Sequence, residues 1–429
     1  MPSGQGYYSQ VSAQLLRCAV RNTGNAGDAA FLRYPERMHF SRTALAGLLS
    51  MGLVLSPSHT HPAHAQSSVE SAHSIDSLSS EVTNIDQHSS VLDPIALGPL
   101  APVLFAENVF AAWGPLLQLL KIPIVEPEAT HPPATAAPAQ MRELRHIQDN
   151  VWQIEVYSPS MDRVITNDII LPPGGLENTQ PRPTYYLLGG AGGGEDALWW
   201  DGGGASEFFR DKHVNVVSPR GAYGSMMSDW AQPHDTHGKY KWATYLTKEL
   251  PQLIDSEFHG NGTDGIAGVS NSGGPALELA TYDPRFKVAG SISGCPSTTG
   301  VVAQGFAWVS AAFYGTDPTR SFGPPWDPAW ARHSPVLNLD QQKGRKTFVI
   351  VSRGGPADFD VDIEDSPLPA LGLNERLDYW CSSYYAKQAT AAGVDLDYYV
   401  LPEGRHTWGL FRRELAISWA TVGPALGVE

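Results

Sequence analysis

From residue 151 onward the apolar residues gather in short recurring runs: Val151–Tyr157, Arg163–Leu171, Thr184–Leu188, Val214–Ser218, Ile266–Val269, Val288–Ile292, Thr347–Val351 and Leu396–Leu401. Several are almost continuously apolar rather than alternating, the pattern of strands covered on both faces. Between them lie stretches with helical spacing: Ser206–Lys212, Lys239–Phe258 around Pro251, Pro275–Tyr282, Asn374–Ala392 and Leu410–Val422. Strand alternating with helix predicts an α/β fold, a mostly parallel sheet with helices on both faces. The first two runs are separated only by Ser158–Asp162 and predict an antiparallel hairpin at the sheet edge.

The N-terminal third has a different texture. Residues 38–65 read as a secretory signal: Met38 to Arg42 is the basic start, Thr43 to Leu55 the apolar stretch, and Ala63-His-Ala65 the small-residue cleavage site. These parts follow Met38 so closely that Met38 reads as the true start, with residues 1–37 an upstream leader. Residues 66–140 form an extension. It is polar and unstructured to about Ser90, then apolar but broken by Pro94, Pro99, Pro102, Pro115 and Pro123 over Leu92–Val125, which predicts short packed helices. Glu107, Asn108, Gln118 and Lys121 interrupt that stretch, so it does not read as a membrane span. A Pro-Ala linker closes the extension, and residues 141–429 form the main domain.

Within that domain, Ile266 to Val269 run into Gly268-Val-Ser270-Asn271-Ser272-Gly273-Gly274 and then a helix. A strand, a serine at the tip of a sharp turn, small flanking residues and a helix make a nucleophile elbow, and with the alternating elements they predict the α/β-hydrolase fold. The usual pattern is G-x-S-x-G, and Ser272 stands where the second glycine would be. A serine nucleophile needs a base and an acid to hold that base, in the chain order Ser, acid, His. Only His333 and His406 follow Ser270, and His406 lies just past the last apolar strand. For the acid, the loop after Thr347–Val351 offers Asp358 and Asp360, and the helix beginning near Asn374 offers Glu375; position alone leaves all three open. Asn271 and the glycine-rich loop Gly189–Gly194 are placed to supply the two backbone donors of an oxyanion hole.

Composition adds limits. An apolar fraction of 42% suffices for a full core, and a net charge of −15 does not suit nucleic acid or an anionic membrane as partner. Removing residues 1–65 takes away five arginines and two acids, leaving 24 basic and 42 acidic residues and a net charge of −18. Cys295 and Cys381 remain, either a disulfide or two buried thiols. No metal or cofactor is expected. His234 and His237 lack a third ligand, and Asp358, Asp360 and Asp362 depart from a calcium loop at Ile363 and Pro369.

The runs Tyr157-Ser-Pro-Ser-Met161, Ser228-Asp-Trp230, Tyr240-Lys-Trp242, Leu246-Thr-Lys-Glu-Leu-Pro-Gln252, the elbow, Ala289-Gly-Ser-Ile-Ser293, Asp327-Pro-Ala-Trp330 and His406-Thr-Trp408 occur in one order over about Arg142 to the C-terminus. Together they resemble the secreted mycolyltransferases of the antigen 85 type. The resemblance implies Ser270 as nucleophile, His406 as base and Glu375 as acid. It also implies Ala191 and Asn271 as oxyanion donors, and Gly192, Thr407 and Trp408 around the substrate. Its implied reaction moves a mycolyl group from trehalose monomycolate to a second trehalose monomycolate, to trehalose, or to wall arabinogalactan, by a secreted monomer. Gly189 and Gly192 replace an aspartate and an arginine of the mycobacterial members, and with the N-terminal extension this suits the corynebacterial branch. Trp199, Trp200, Trp230, Trp242 and Trp408 are candidates for stacking on sugars. A plain secreted carboxylesterase and an envelope adhesion protein are the competing readings.

Overall fold

The computed structural model describes residues 98–108, 111, 131–195, 198–361 and 368–428. All of them lie in the second of two compact units, Ala72–Glu429. The leader, the export segment, the polar tether, most of Leu92–Val125 and the start of the proline linker lie outside the described residues, as does Asp362.

Nine strands form one sheet: β1 (Gln140–Gln148), β2 (Val151–Ser158), β3 (Arg163–Ile170), β4 (Arg182–Leu188), β5 (Asn215–Pro219), β6 (Gly260–Val269), β7 (Phe286–Ile292), β8 (Lys346–Ser352) and β9 (Leu396–Leu401). Their order is β1-β2-β3-β5-β4-β6-β7-β8-β9. The pairs from β5 to β9 are parallel, and those from β1 to β5 through β3 are antiparallel. All eight expected strands form. The expected edge hairpin, β2 with β3, lies one strand inside the edge, because β1 pairs outside it. β1 is mostly exposed and polar, so it carries no apolar run to betray it.

The period of two sorts the strand residues between two cores. Tyr186, Leu188 and Ile266 face one cluster and Tyr185, Leu187 and Ala267 the other. The first face is covered by α1 (Ala101–Phe105), α2 (Leu250–Phe258), α3 (Gly273–Leu279) and α5 (Leu368–Ala392). The second is covered by α6 (Trp408–Leu426). Helix α4 (Val301–Phe313) was not expected from the sequence, because Gly305 and a run of small residues blur its helical stripe. Helix α1 lies within Leu92–Val125 and packs on this face: Phe105 is buried with its ring 6.0 Å from that of Tyr384.

The stretch expected as one helix over Lys239–Phe258 is instead a turn at Trp242–Thr244, a π-helical turn at Tyr245–Glu249, and α2. Pro251 has no N–H and its ring crowds the carbonyl four residues earlier, so the chain widens ahead of it.

Candidate active site

β6 is a central strand and ends in extended backbone at Val269, with φ −100° and ψ 145°. The next residue, Ser270, has φ 57°, the left-handed conformation that a side chain disfavours. A 3-10 turn over Ser270–Ser272 leads into α3. Gly268 must lack a side chain, because a Cβ there would sit 2.1 Å from the Ser272 carbonyl oxygen. Ser272 tolerates its own side chain because its hydroxyl points to the neighbouring loop and donates to the Gly189 carbonyl.

His406 arrives from the carboxyl end of β9. Its Nε2 lies 2.9 Å from Ser270 Oγ, and its Nδ1 lies 2.7 Å from Glu375 Oε2. The carboxylate fixes the tautomer: Nδ1 donates to Glu375, leaving Nε2 to accept from the serine hydroxyl. Glu375 comes from α5 and is fully buried. Its Oε1 accepts from the backbone N–H of Ser352 at 3.0 Å and lies 2.8 Å from Ser293 Oγ.

The two aspartates left open by position do not reach the base. Asp358 is exposed. Asp360 accepts from the backbone N–H groups of Arg405 and Ala357, holding the loop on which His406 sits.

Two acids that the sequence did not single out stand close to the site, Asp378 in the lining of the cavity at Ser270 and His406, and Glu414 behind it. Asp378 Oδ2 is 3.5 Å from His406 Nδ1, and Glu414 Oε2, from α6, is 2.7 Å from Ser293 Oγ. Burial pushes both carboxyls well above their ordinary range, and the adjacent Glu375 charge pushes them further. Asp378 therefore stands beside His406 in surroundings that favour its neutral form over an ion pair. An acid in Leu410–Ile417 reads from sequence as part of a helix's wet face; only the fold shows Glu414 to be fully buried.

The loop Gly189–Gly194 passes beside the elbow. A Cβ on Gly190 would lie 3.4 Å from Ser270 Cβ, and the Ala191 carbonyl accepts from the Gly224 N–H at 2.9 Å. Asn271 follows the serine at the start of the turn, and Gly192 is buried within the loop. Thr407 is fully buried, and its hydroxyl has no partner among the described residues. Trp408 is half-buried, its ring edge-on to Trp199 at 5.1 Å. Of the five tryptophans considered for sugar stacking, Trp199, Trp230 and Trp242 are core residues, because each ring fills space between sheet and loops. Trp200 and Trp408 retain exposed surface. His234 Nδ1 accepts from the N–H groups of Thr236 and His237, as in a self-contained turn.

An open cavity of about 160 Å³ lies against Ser270, Asn271 and His406. Met226, Pro275, Ala303, Phe306 and Ala307 give it an apolar wall, much of it from α4. Its floor includes Cys295, which is disulfide-bonded to Cys381 on α5.

Comparison with known proteins matches residues 158–420 to the Esterase family model. The diacylglycerol acyltransferase/mycolyltransferase Ag85C of Mycobacterium avium is 30% identical over 274 residues, spanning 62% of this chain and 74% of that protein. Ag85A of Mycobacterium tuberculosis is 32% identical over 290 residues, 65% of this chain and 82% of that protein. Among solved structures, Mycobacterium tuberculosis MPT51 (FbpC1) superposes with a TM-score of 0.52 at 22% identity, over 68% of this chain and all of that one. That likeness bears on fold, and agrees with the α/β-hydrolase architecture.

Proposed function

The chain belongs to the esterase family, among the acyltransferases of the antigen 85 type, and from that premise we propose that it is a secreted serine acyltransferase that moves a mycolyl group from trehalose monomycolate to another hydroxyl. The observation that carries this reading is the continuous hydrogen-bonded line from Ser270 Oγ through His406 to Glu375.

The chemistry follows from that line. Ser270 Oγ attacks the ester carbonyl while His406 Nε2 takes its proton, and Glu375 holds the resulting imidazolium. The oxyanion is met by the backbone N–H groups of Asn271 and Ala191. His406 returns the proton to the departing trehalose oxygen, leaving the acyl group on Ser270. An acceptor hydroxyl then enters, gives its proton to His406 and attacks the acyl carbonyl; His406 passes that proton to Ser270 Oγ as it leaves, which regenerates the free enzyme. The acceptor is a second trehalose monomycolate, trehalose, or an arabinose end of wall arabinogalactan. Trp408 and Gly192 border the sugar, with Thr407 behind them, and the apolar wall on α4 receives the start of the acyl chain. Export through a signal ending near Ala65, and action as a monomer, complete the reading.

Intact mass after incubation with trehalose monomycolate tests it, for the wild type and Ser270→Ala. A mycolyl mass on Ser270 that is discharged when trehalose is added, absent in the variant, is the expected result. Steady release of free mycolic acid regardless of acceptor would make the enzyme a hydrolase. No acylation of the wild type would leave the adhesion reading in its place.

A further inference from the structure

Ser293 is a junction between two buried acids. Its Oγ lies 2.8 Å from Glu375 Oε1 and 2.7 Å from Glu414 Oε2, and all three residues are fully buried. A serine hydroxyl carries one proton and can donate to one of them only. At the other contact two lone pairs would meet unless that carboxyl holds a proton and donates it to Ser293 Oγ. The geometry therefore requires one proton shared in the line Glu375, Ser293, Glu414, and leaves the question of which acid owns it.

The surroundings answer it. Glu375 has two further N–H donors, from Ser352 at 3.0 Å and from His406 Nδ1 at 2.7 Å, and these stabilise an anion. Glu414 Oε1 has no partner among the described residues, which an ionised buried carboxylate would not tolerate. The titratable groups facing Glu414 are Glu375 and Asp378 on α5, with His406 beyond Glu375. Ser293 itself is held at φ 42°, so its position is set by the turn after β7 and only its hydroxyl orientation is open.

We infer that Glu414 is a neutral carboxylic acid that positions the catalytic acid: it donates to Ser293 Oγ and so commits the Ser293 proton to Glu375, which stays ionised beneath His406. Glu414 touches neither substrate nor base and acts through Ser293. The inference rests on the reading of Ser270, His406 and Glu375 as the triad. Loss of the Glu414 proton at alkaline pH would set two carboxylates against one hydroxyl and turn the Ser293 proton away from Glu375.

The test compares wild type, Glu414→Gln and Glu414→Leu by turnover of p-nitrophenyl butyrate across neutral to alkaline pH, with fluorophosphonate labelling of Ser270 in the same samples. Glutamine keeps a donor toward Ser293 and cannot ionise. It is expected to hold kcat within about 3-fold of wild type and to shift or abolish the alkaline decline, whereas leucine lowers kcat about 10-fold with KM little changed. Glutamine as damaging as leucine would overturn the inference, since a charge on Glu414 would then be needed. So would wild-type kcat and an unchanged pH profile in both variants. If the leucine variant fails to fold, the alkaline limb of Glu414→Gln decides: displaced supports the inference, unmoved overturns it. A wild type not labelled at Ser270 would instead overturn the triad reading, and the inference with it.

Discussion

The Ser272 hydroxyl donates to the Gly189 carbonyl, so the elbow carrying Ser270 and the glycine loop beside it are tied together by one buried hydrogen bond. The residue that breaks the G-x-S-x-G pattern thus couples the turn carrying Ser270 to the Gly189–Gly194 loop, the proposed source of an oxyanion donor. Ser272→Gly would restore the pattern and remove the tie. A lost buried hydrogen bond costs about 1–2 kcal/mol, and a displaced oxyanion donor costs more in rate than in binding. The expected result is a fall in kcat of about 10-fold or more with KM little changed and a modestly lower Tm. A glycine variant as active as the wild type would show that the loop is held by its other contacts, such as Gly224 N–H to the Ala191 carbonyl.

The three candidates for the acid make distinct predictions. Glu375→Gln keeps the shape but loses the charge beneath His406, and kcat should fall by about 100-fold to 10,000-fold. Asp360→Asn disturbs only the loop holding Arg405 and should cost less than about 10-fold. Asp358→Asn, at an exposed residue, should leave kcat within about 2-fold. Steady-state kinetics on one ester substrate separates the three. Larger losses at Asp360 than at Glu375 would reverse the assignment.

Much of this arrangement was legible before folding. The elbow announced itself because Gly268 and the small residues around Ser270 are required by contacts as close as 2.1 Å. His406 followed because few histidines come after the serine. The acid was not decided by position, since the loop after β8 and the start of α5 approach the same strand ends, and only the resemblance chose Glu375. Glu414 and Ser293 were invisible as a functional pair: an acid in a helix and a serine after a strand are ordinary until α6 and β7 are packed together. The tryptophans could not be sorted one from another for a related reason: an aromatic ring suited to a sugar is equally suited to a core, so at least two of the five were expected to be core residues, and only burial separates Trp230 from Trp408.

The disulfide joins the segment after β7 to α5, the helix that carries Glu375 six residues before Cys381. The paired cysteines are 86 residues apart, a loop whose closure stabilises the folded state by about 2–5 kcal/mol. Replacing both cysteines by alanine should lower Tm and also slow acylation, because α5 loses an anchor close to the acid. Thermal melts and burst kinetics on the same samples check this. A lower Tm with an unchanged acylation rate would confine the bridge to stabilising the chain.

Asp378 gives a prediction in stability rather than rate. Burial, and next the charge on Glu375, hold its carboxyl well above the ordinary range. An acid whose pKa is higher folded than unfolded binds more protons in the folded state between those two values. Its contribution to stability therefore falls as pH rises, by up to about 1.4 kcal/mol per pH unit once the unfolded chain has ionised. An asparagine in its place would be neutral in both states and free of that slope, so the stability of Asp378→Asn should gain on the wild type as pH rises from about 4 toward neutrality and level off to a constant difference below about pH 3, where the unfolded aspartate is also protonated. Glu414 imposes a similar slope on both proteins and cancels in the difference. Urea midpoints measured over this range test it. A difference that stays flat with pH would mean that Asp378 is ionised in the folded protein and pairs with His406 as a charge, making it a second acid for the base rather than a neutral neighbour.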